Sequence, residues 1–269
     1  MKRIVSALCI LPLFAILVRY GPPFLFGLIM TGVIGLGLLE FFRMLGGKGL
    51  PHWEWLGVLV GVLLPWALYW EVLPGQALVA AMVALMFLVG LFSRQELMLS
   101  LQSAAYTLLG VLYVSWLLSH VLLLRLLAHG QFYVFFVFLV VWLGDAAALY
   151  VGSLFGHHKL APAISPGKTI EGAIGGLFGS LGGALLGHFW LVPEFSLGQC
   201  LFLGGILAVL GQVGDLSESL LKRSTGVKDS GQLIPGHGGI LDKVDGMLFS
   251  TPAMYYYYTL YVTRHGLAS

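Results

Sequence analysis

Asp215, Ser219 and Lys222 follow one another at intervals of four and three residues, with Glu218 beside them. On a helix that spacing puts the three on one face. Asp242 and Asp245 are three apart and share a face in the same way. Between the two groups the chain holds Arg223, Lys228, Asp229 and His237, set among Gly226, Gly231, Gly236, Gly238 and Gly239. Carboxylates without a cysteine or histidine cluster of zinc spacing suit a hard cation such as Mg²⁺. That ion takes one or two carboxylates and completes its shell with water and phosphate oxygens. Lys222, Arg223 and Lys228 supply positive charge for phosphates, and a glycine-rich backbone can turn its N–H groups toward an anion. The combination predicts a place where phosphates meet a metal.

A second polar stretch, "GHHKLAPAISPGKTIEG" from Gly156 to Gly172, offers Ser165, Lys168 and Thr169 just before a helix and Glu171 in its first turn. Helix N-termini attract anions, and a lysine with a hydroxyl adds to that attraction. The "GKT" is not a P-loop, because Pro162 occupies the position of the required first glycine. His157 and His158 read as solvated loop residues. Glu40 and Arg43, three apart near a helix end, read as a local pair. His120, His129 and His188 read as hydrogen-bonded bystanders.

The elements that must carry these groups are membrane helices. Of the 269 residues, 10% are charged and 58% hydrophobic, with a mean hydropathy of +0.93; a soluble domain carries about 25% charged residues. The net charge of +2 gives no reason to expect nucleic acid. Cys9 and Cys200 lie in apolar runs and read as buried thiols. The basic, apolar N-terminus has no small-x-small cleavage site and reads as a retained first helix rather than a signal peptide. At about 20 apolar residues per span, the chain predicts an all-α polytopic membrane protein with nine helices, at roughly 4–20, 22–44, 53–72, 74–92, 103–127, 131–152, 170–191, 197–221 and 243–263. With a cytoplasmic N-terminus and an outside C-terminus, Lys2, Arg3, Arg43, Lys48, Arg94, Lys159, Lys168, Lys222, Arg223, Lys228 and Lys243 fall inside. Only Arg19, Arg125 and Arg264 fall outside, which accounts for all 14 basic residues.

We read one integral membrane domain over 1–269, with N-terminal helices in 1–127 and the chemistry-bearing helices in 131–263. Asp145 and Asp215 then sit about two turns from the cytoplasmic ends of their helices, and Asp242 and Asp245 open the last one from the same side. Ionisable groups at such depth are costly and ask for a reason. Gly175, Gly179, Gly183 and Gly187, with the neighbouring stripe Gly172, Gly176, Ser180 and Ala184, suit tight helix packing or, alternatively, a homodimer seam.

The segment S-L-L-K-R-x4-K-D-S-G-x3-P-G-H-G-G-I-x-D-K-V-D, Ser219 to Asp245, resembles the signature of the phosphatidate cytidylyltransferase (CDP-diacylglycerol synthase) family. "KLAPAISPGKTIEG" and "GDLSES" resemble two further segments of that family, so the likeness covers the C-terminal half. Lys243 departs from it, standing where the family usually has arginine.

The resemblance implies condensation of CTP with phosphatidate, giving CDP-diacylglycerol and pyrophosphate, at the cytoplasmic face of the cell inner (plasma) membrane and among its lipids. It implies Mg²⁺ on Asp215 and Asp242, with room for a second or monovalent ion, and Asp245 orienting or sharing the metal. Lys222, Arg223 and Lys228 would hold the triphosphate and the leaving pyrophosphate, and His237 would contact a phosphate or sugar. Ser165, Lys168, Thr169, Glu171, Ser219 and Asp229 fall in the matched segments as substrate-binding residues. A CTP-dependent polyprenol or phytol kinase is the alternative, and a transporter a more distant one. A transporter would place its carboxylates near the midplane in repeated halves, and no internal repeat is found.

Overall fold

Pro22 and Pro23 open the helix α1 (Pro23–Gly47). A proline at the first helical position lacks only an N–H that has no intrahelical partner there. The structure, a computed structural model, describes residues 12–231 and 238–262, with residues 12–20 also helical. After α1 come α2 (Glu54–Tyr69), α3 (Gly75–Phe92) and α4 (Leu97–Gly110), which passes through a wider π-helical stretch, Val111–Trp116, into α5 (Leu117–Leu126). Then follow α6 (Gly130–Phe155), β1 (Lys159–Ala161), β2 (Ser165–Thr169), α7 (Ile170–Trp190), α8 (Leu197–Thr225) and α9 (Leu241–Tyr257), whose end is π-helical over Tyr258–Val262.

The chain is an all-α, multi-pass membrane protein. Among the described residues, α1, α3, the continuous Leu97–Leu126, α6, α7 and α8 are long and apolar enough to cross a membrane. These are six of the nine expected spans. α2 has 16 residues, about 24 Å at 1.5 Å per residue, against a hydrocarbon layer of about 30 Å. α9 has 17, and the first expected span lies partly outside the described residues. The antiparallel pair of β1 and β2 is the one sheet among the described residues.

The chain forms two compact units: Met1–Leu123 with Lys222–Lys243, and Leu124–Leu221 with Val244–Ser269. In the first, α1 buries Phe26, Met30, Ile34 and Leu38, one residue per helical turn, and Glu40 is buried with them. α2 lies against this face, since a Cβ at Gly57 would overlap the ring of Phe42 and one at Gly61 would overlap Leu38. Ser115 Oγ donates to the carbonyl of Gly61 at 2.6 Å.

In the second unit the glycine stripes of α7 pack on α6. A Cβ at Gly183 would sit 3.1 Å from Val140 Cα, one at Gly176 would sit 3.2 Å from the Gly144 carbonyl, and one at Gly179 would overlap Ala147. Ser180 Oγ donates to the Val140 carbonyl at 3.0 Å. The opposite faces carry Leu149 and Phe178, 69% and 68% exposed, which is tolerable only against lipid. Cys200 is a buried free thiol, as expected, and Cys9 lies outside the described residues.

Candidate active site

In the second unit the polar stretch after α6 is a hairpin fastened to the start of α7. Pro162 takes the second position of a turn in which the Ile164 N–H donates to the Ala161 carbonyl at 3.1 Å, where proline's fixed φ fits. Ser165 begins the returning strand, paired with Ala161. Thr169 ends it and caps α7: its backbone is extended and its hydroxyl accepts the Gly172 N–H at 3.1 Å. Thr169 is buried there. Glu171 accepts the N–H groups of His157 and His158 at 3.1 and 3.2 Å and meets the His158 Nδ1 at 2.6 Å. It therefore ties down the loop from the first turn of α7. Thr169 and Glu171, both expected to bind substrate, thus join the hairpin to the start of α7, and His158 is a partner of Glu171 as well as exposed to solvent.

Lys168 stands between them and reaches α8, its Nζ 2.5 Å from Asp215 Oδ2, with the two side chains 24% and 38% exposed. Asp145 on α6 lies close enough for the charges of both to act on it. Gln212 Nε2, one turn before Asp215, donates to the Ala173 carbonyl at 3.0 Å and joins α8 to α7. Ser219 is half-buried and Glu218 beside it fully buried. Asp245 on α9 accepts the Gly246 N–H at 2.8 Å. A Cβ at Gly214 would overlap the Asp245 carbonyl, so α8 and α9 meet backbone to backbone there.

In the first unit Ser230 and Gly239, from the two described ends of the glycine-rich segment, both reach Asp242. Lys222 Nζ lies 2.6 Å from Asp242 Oδ1, with side chains 13% and 12% exposed. Asp242 Oδ2 accepts the Ser230 N–H at 3.0 Å, lies 2.9 Å from the Ser230 hydroxyl, and accepts the Gly239 N–H at 2.8 Å. The last of these is an aspartate in the first turn of α9 reaching back to the N–H of a residue two positions before the helix. Glu40, expected to pair with Arg43, instead accepts the N–H groups of Ile240 and Leu241 at 2.9 and 3.0 Å, and its Oε2 is 3.0 Å from the Ser230 hydroxyl. The local-pair reading fails because Glu40 is 2% exposed and a buried carboxylate takes the strongest donors in reach. Arg223, Lys228 and Asp229 are exposed, and Arg223 donates to the Val227 carbonyl at 3.4 Å. His237 lies outside the described residues.

The donor chemistry fits Mg²⁺. Asp215 and Asp242 offer carboxylate oxygens, and among the described residues no three His, Cys, Asp or Glu side chains converge into a cage. Carboxylate oxygens of this kind, one in each unit, suit a hard cation that takes one or two carboxylates beside phosphate oxygens.

A family model described as the cytidylyltransferase family matches residues 1–261. The chain belongs to the cytidylyltransferase family. A protein of Staphylococcus saprophyticus named phosphatidate cytidylyltransferase is 44% identical over 155 residues, 58% of this chain and 59% of that protein. Proteins of the same name from Staphylococcus aureus and Staphylococcus epidermidis are 44% and 41% identical over 157 and 155 residues, with the same shares covered. The match thus spans about 59% of the length of these curated relatives.

Proposed function

We propose that this chain is a phosphatidate cytidylyltransferase, joining CTP to phosphatidate and releasing pyrophosphate. A phosphate oxygen of the lipid attacks the α-phosphorus of CTP. The bond from that phosphorus to the oxygen leading to the β-phosphorus breaks, and pyrophosphate leaves with the electron pair. No protein nucleophile is needed, because the lipid phosphate is one. The difficulty is electrostatic: an anion must approach an anion.

The observation that carries this reading is a pairing of lysine with aspartate in each unit, Lys168 with Asp215 and Lys222 with Asp242. Arriving phosphates give the lysines new partners, and the freed carboxylates suit a cation. We assign Asp215 and Asp242 as the Mg²⁺ ligands on the sequence motif, with Asp245 sharing or orienting that ion. Bound Mg²⁺ would offset the charge gathering on the phosphates. Lys222, Arg223 and Lys228 bind the triphosphate and the departing pyrophosphate, Lys168 and Ser165 line the approach, and Ser219 and Asp229 belong to the same substrate-binding set. His237 keeps its phosphate or sugar contact on the motif alone.

The polar groups face the cytoplasm of the inner membrane in this reading, with nine spans, the N-terminus inside and the C-terminus outside, as the basic residues divide. The glycine stripes of α7 are occupied by α6, so no homodimer is proposed from them. Purified protein given Mg²⁺, phosphatidate and CTP labelled at the α-phosphate should yield labelled CDP-diacylglycerol and unlabelled pyrophosphate, measured by product mass and label. Label appearing in the lipid only from γ-labelled CTP would make the protein a lipid kinase instead.

A further inference from the structure

Glu40 is the one buried carboxylate of α1, and its three partners come from a segment 190 to 201 positions later in the chain. Two of them are the N–H groups of Leu241, which opens α9, and of Ile240 just before it. The first N–H groups of a helix have no intrahelical acceptor and gather positive potential. A residue just before the helix normally answers them with its own side chain. Here that residue is Ile240, whose side chain has no acceptor, and at Gly239 beside it a Cβ would overlap Ser230 Oγ and Glu40 Oε2. At Gly231 a Cβ would come 2.6 Å from Glu40 Oε1. The carboxylate of another helix therefore occupies the capping position.

The arrangement reaches Asp242 through one atom. Ser230 Oγ lies 3.0 Å from Glu40 Oε2 and 2.9 Å from Asp242 Oδ2. With the N–H groups of Ser230 and Gly239 also on Oδ2, that oxygen meets at least three donors from the described residues. Oδ1 is turned the other way, toward Lys222. Glu40 holds the two N–H groups that follow Gly239 and meets the Ser230 hydroxyl, so it bears on both residues that supply those neighbours.

We infer that Glu40 is a positioning residue for Asp242: it caps α9 from α1 and holds Ser230 so that Oδ2 is engaged by the protein and Oδ1 is the oxygen presented to ligand. This rests on the proposed activity only for its kinetic consequence. The positional part stands on the hydrogen bonds alone.

Glu40→Gln keeps the shape but replaces one acceptor oxygen with a donor N–H₂, which cannot serve the Ile240 and Leu241 N–H groups together with Ser230. Hydrogen exchange of peptides covering 238–243, followed in the full-length protein in detergent, should quicken in Glu40→Gln and stay near wild type over α2. In the same preparation kcat should fall on the order of tenfold to a hundredfold, as expected when a reacting group is displaced by about an ångström. The Mg²⁺ concentration for half-maximal rate should rise while KM for phosphatidate holds. Gly239→Ala approaches the same contact from the loop side and should reproduce both changes with α1 untouched. Unchanged exchange over 238–243 in both variants overturns the cap. Faster exchange with an unchanged kcat and Mg²⁺ dependence in the folded fraction overturns the positioning role. Absence of cytidylyl transfer in the wild type would remove the proposed activity, and the exchange comparison would still decide the cap.

Discussion

Asp215 and Asp242 each rest against a lysine, and water reaches the two pairs very differently. The Lys168–Asp215 side chains are 24% and 38% exposed, those of Lys222–Asp242 13% and 12%. Breaking a buried pair by removing one charge costs about 3–5 kcal/mol, because the other is left stranded. An exposed pair contributes about 0–1 kcal/mol. Asp215→Asn should therefore leave the melting temperature nearly unchanged while turnover drops a hundredfold or more, about 3 kcal/mol of lost transition-state stabilisation. Asp242→Asn should lose stability as well as activity, because it strands Lys222. Specific activity of the folded fraction across a Mg²⁺ titration decides it; near-normal activity and Mg²⁺ dependence in Asp215→Asn would sink the metal assignment. Lys168→Ala frees Asp215 at little cost to stability and should lower kcat/KM for CTP or phosphatidate. Full kcat/KM for both substrates would make the hairpin lysine a purely structural partner of Asp215.

α7 owes its place to its small residues. At Gly176 a Cβ already comes 3.1 Å from Ala148 Cβ and 3.2 Å from both Gln212 Nε2 and the Gly144 carbonyl, whereas at Gly182 it would meet nothing within 4 Å. Gly176→Leu should part α6 from α7 and cost about 1–3 kcal/mol, as forced overpacking does. Gly182→Leu, on the open face, should melt within a degree or two of wild type. Equal melting temperatures for the two would mean that the stripe does not set the packing. The stripe was legible in the sequence, because a helical period is local information. The hairpin before α7 was not: three- and five-residue strands leave no periodicity to read, and only the turn proline hinted at it.

At the scale of the whole molecule the proposed orientation rests on the division of basic residues along the sequence. Nine spans with a cytoplasmic N-terminus put a reporter fused after Arg264 outside and one inserted within residues 232–237 inside. Protease or thiol-labelling accessibility from the two faces measures this, and both reporters on one side would remove the nine-span arrangement. Among the described residues six helices are long enough to span by themselves. That leaves α2, shorter than the hydrocarbon layer is thick, and α9, which reaches that length only with its π-helical end, as the elements that the measurement decides.

Hydropathy, helical spacing and the Ser219–Asp245 pattern were enough to name a membrane enzyme family and to pick out Asp215, Lys222, Lys168 and Asp242. Those signals are carried by residue type and short-range order, which survive without knowledge of the fold. Partners are another matter. Glu40 and Ile240 are 200 positions apart, and nothing in the run around Glu40 distinguishes a helix cap from a surface glutamate beside Arg43. The types of Thr169 and Glu171 suit anions, but that Thr169 caps α7 and that Glu171 meets His158 was not legible in the sequence. Which polar group answers which is fixed by how helices approach and rotate against one another. That register is set by close packing along their whole length, so only the tertiary structure decides it.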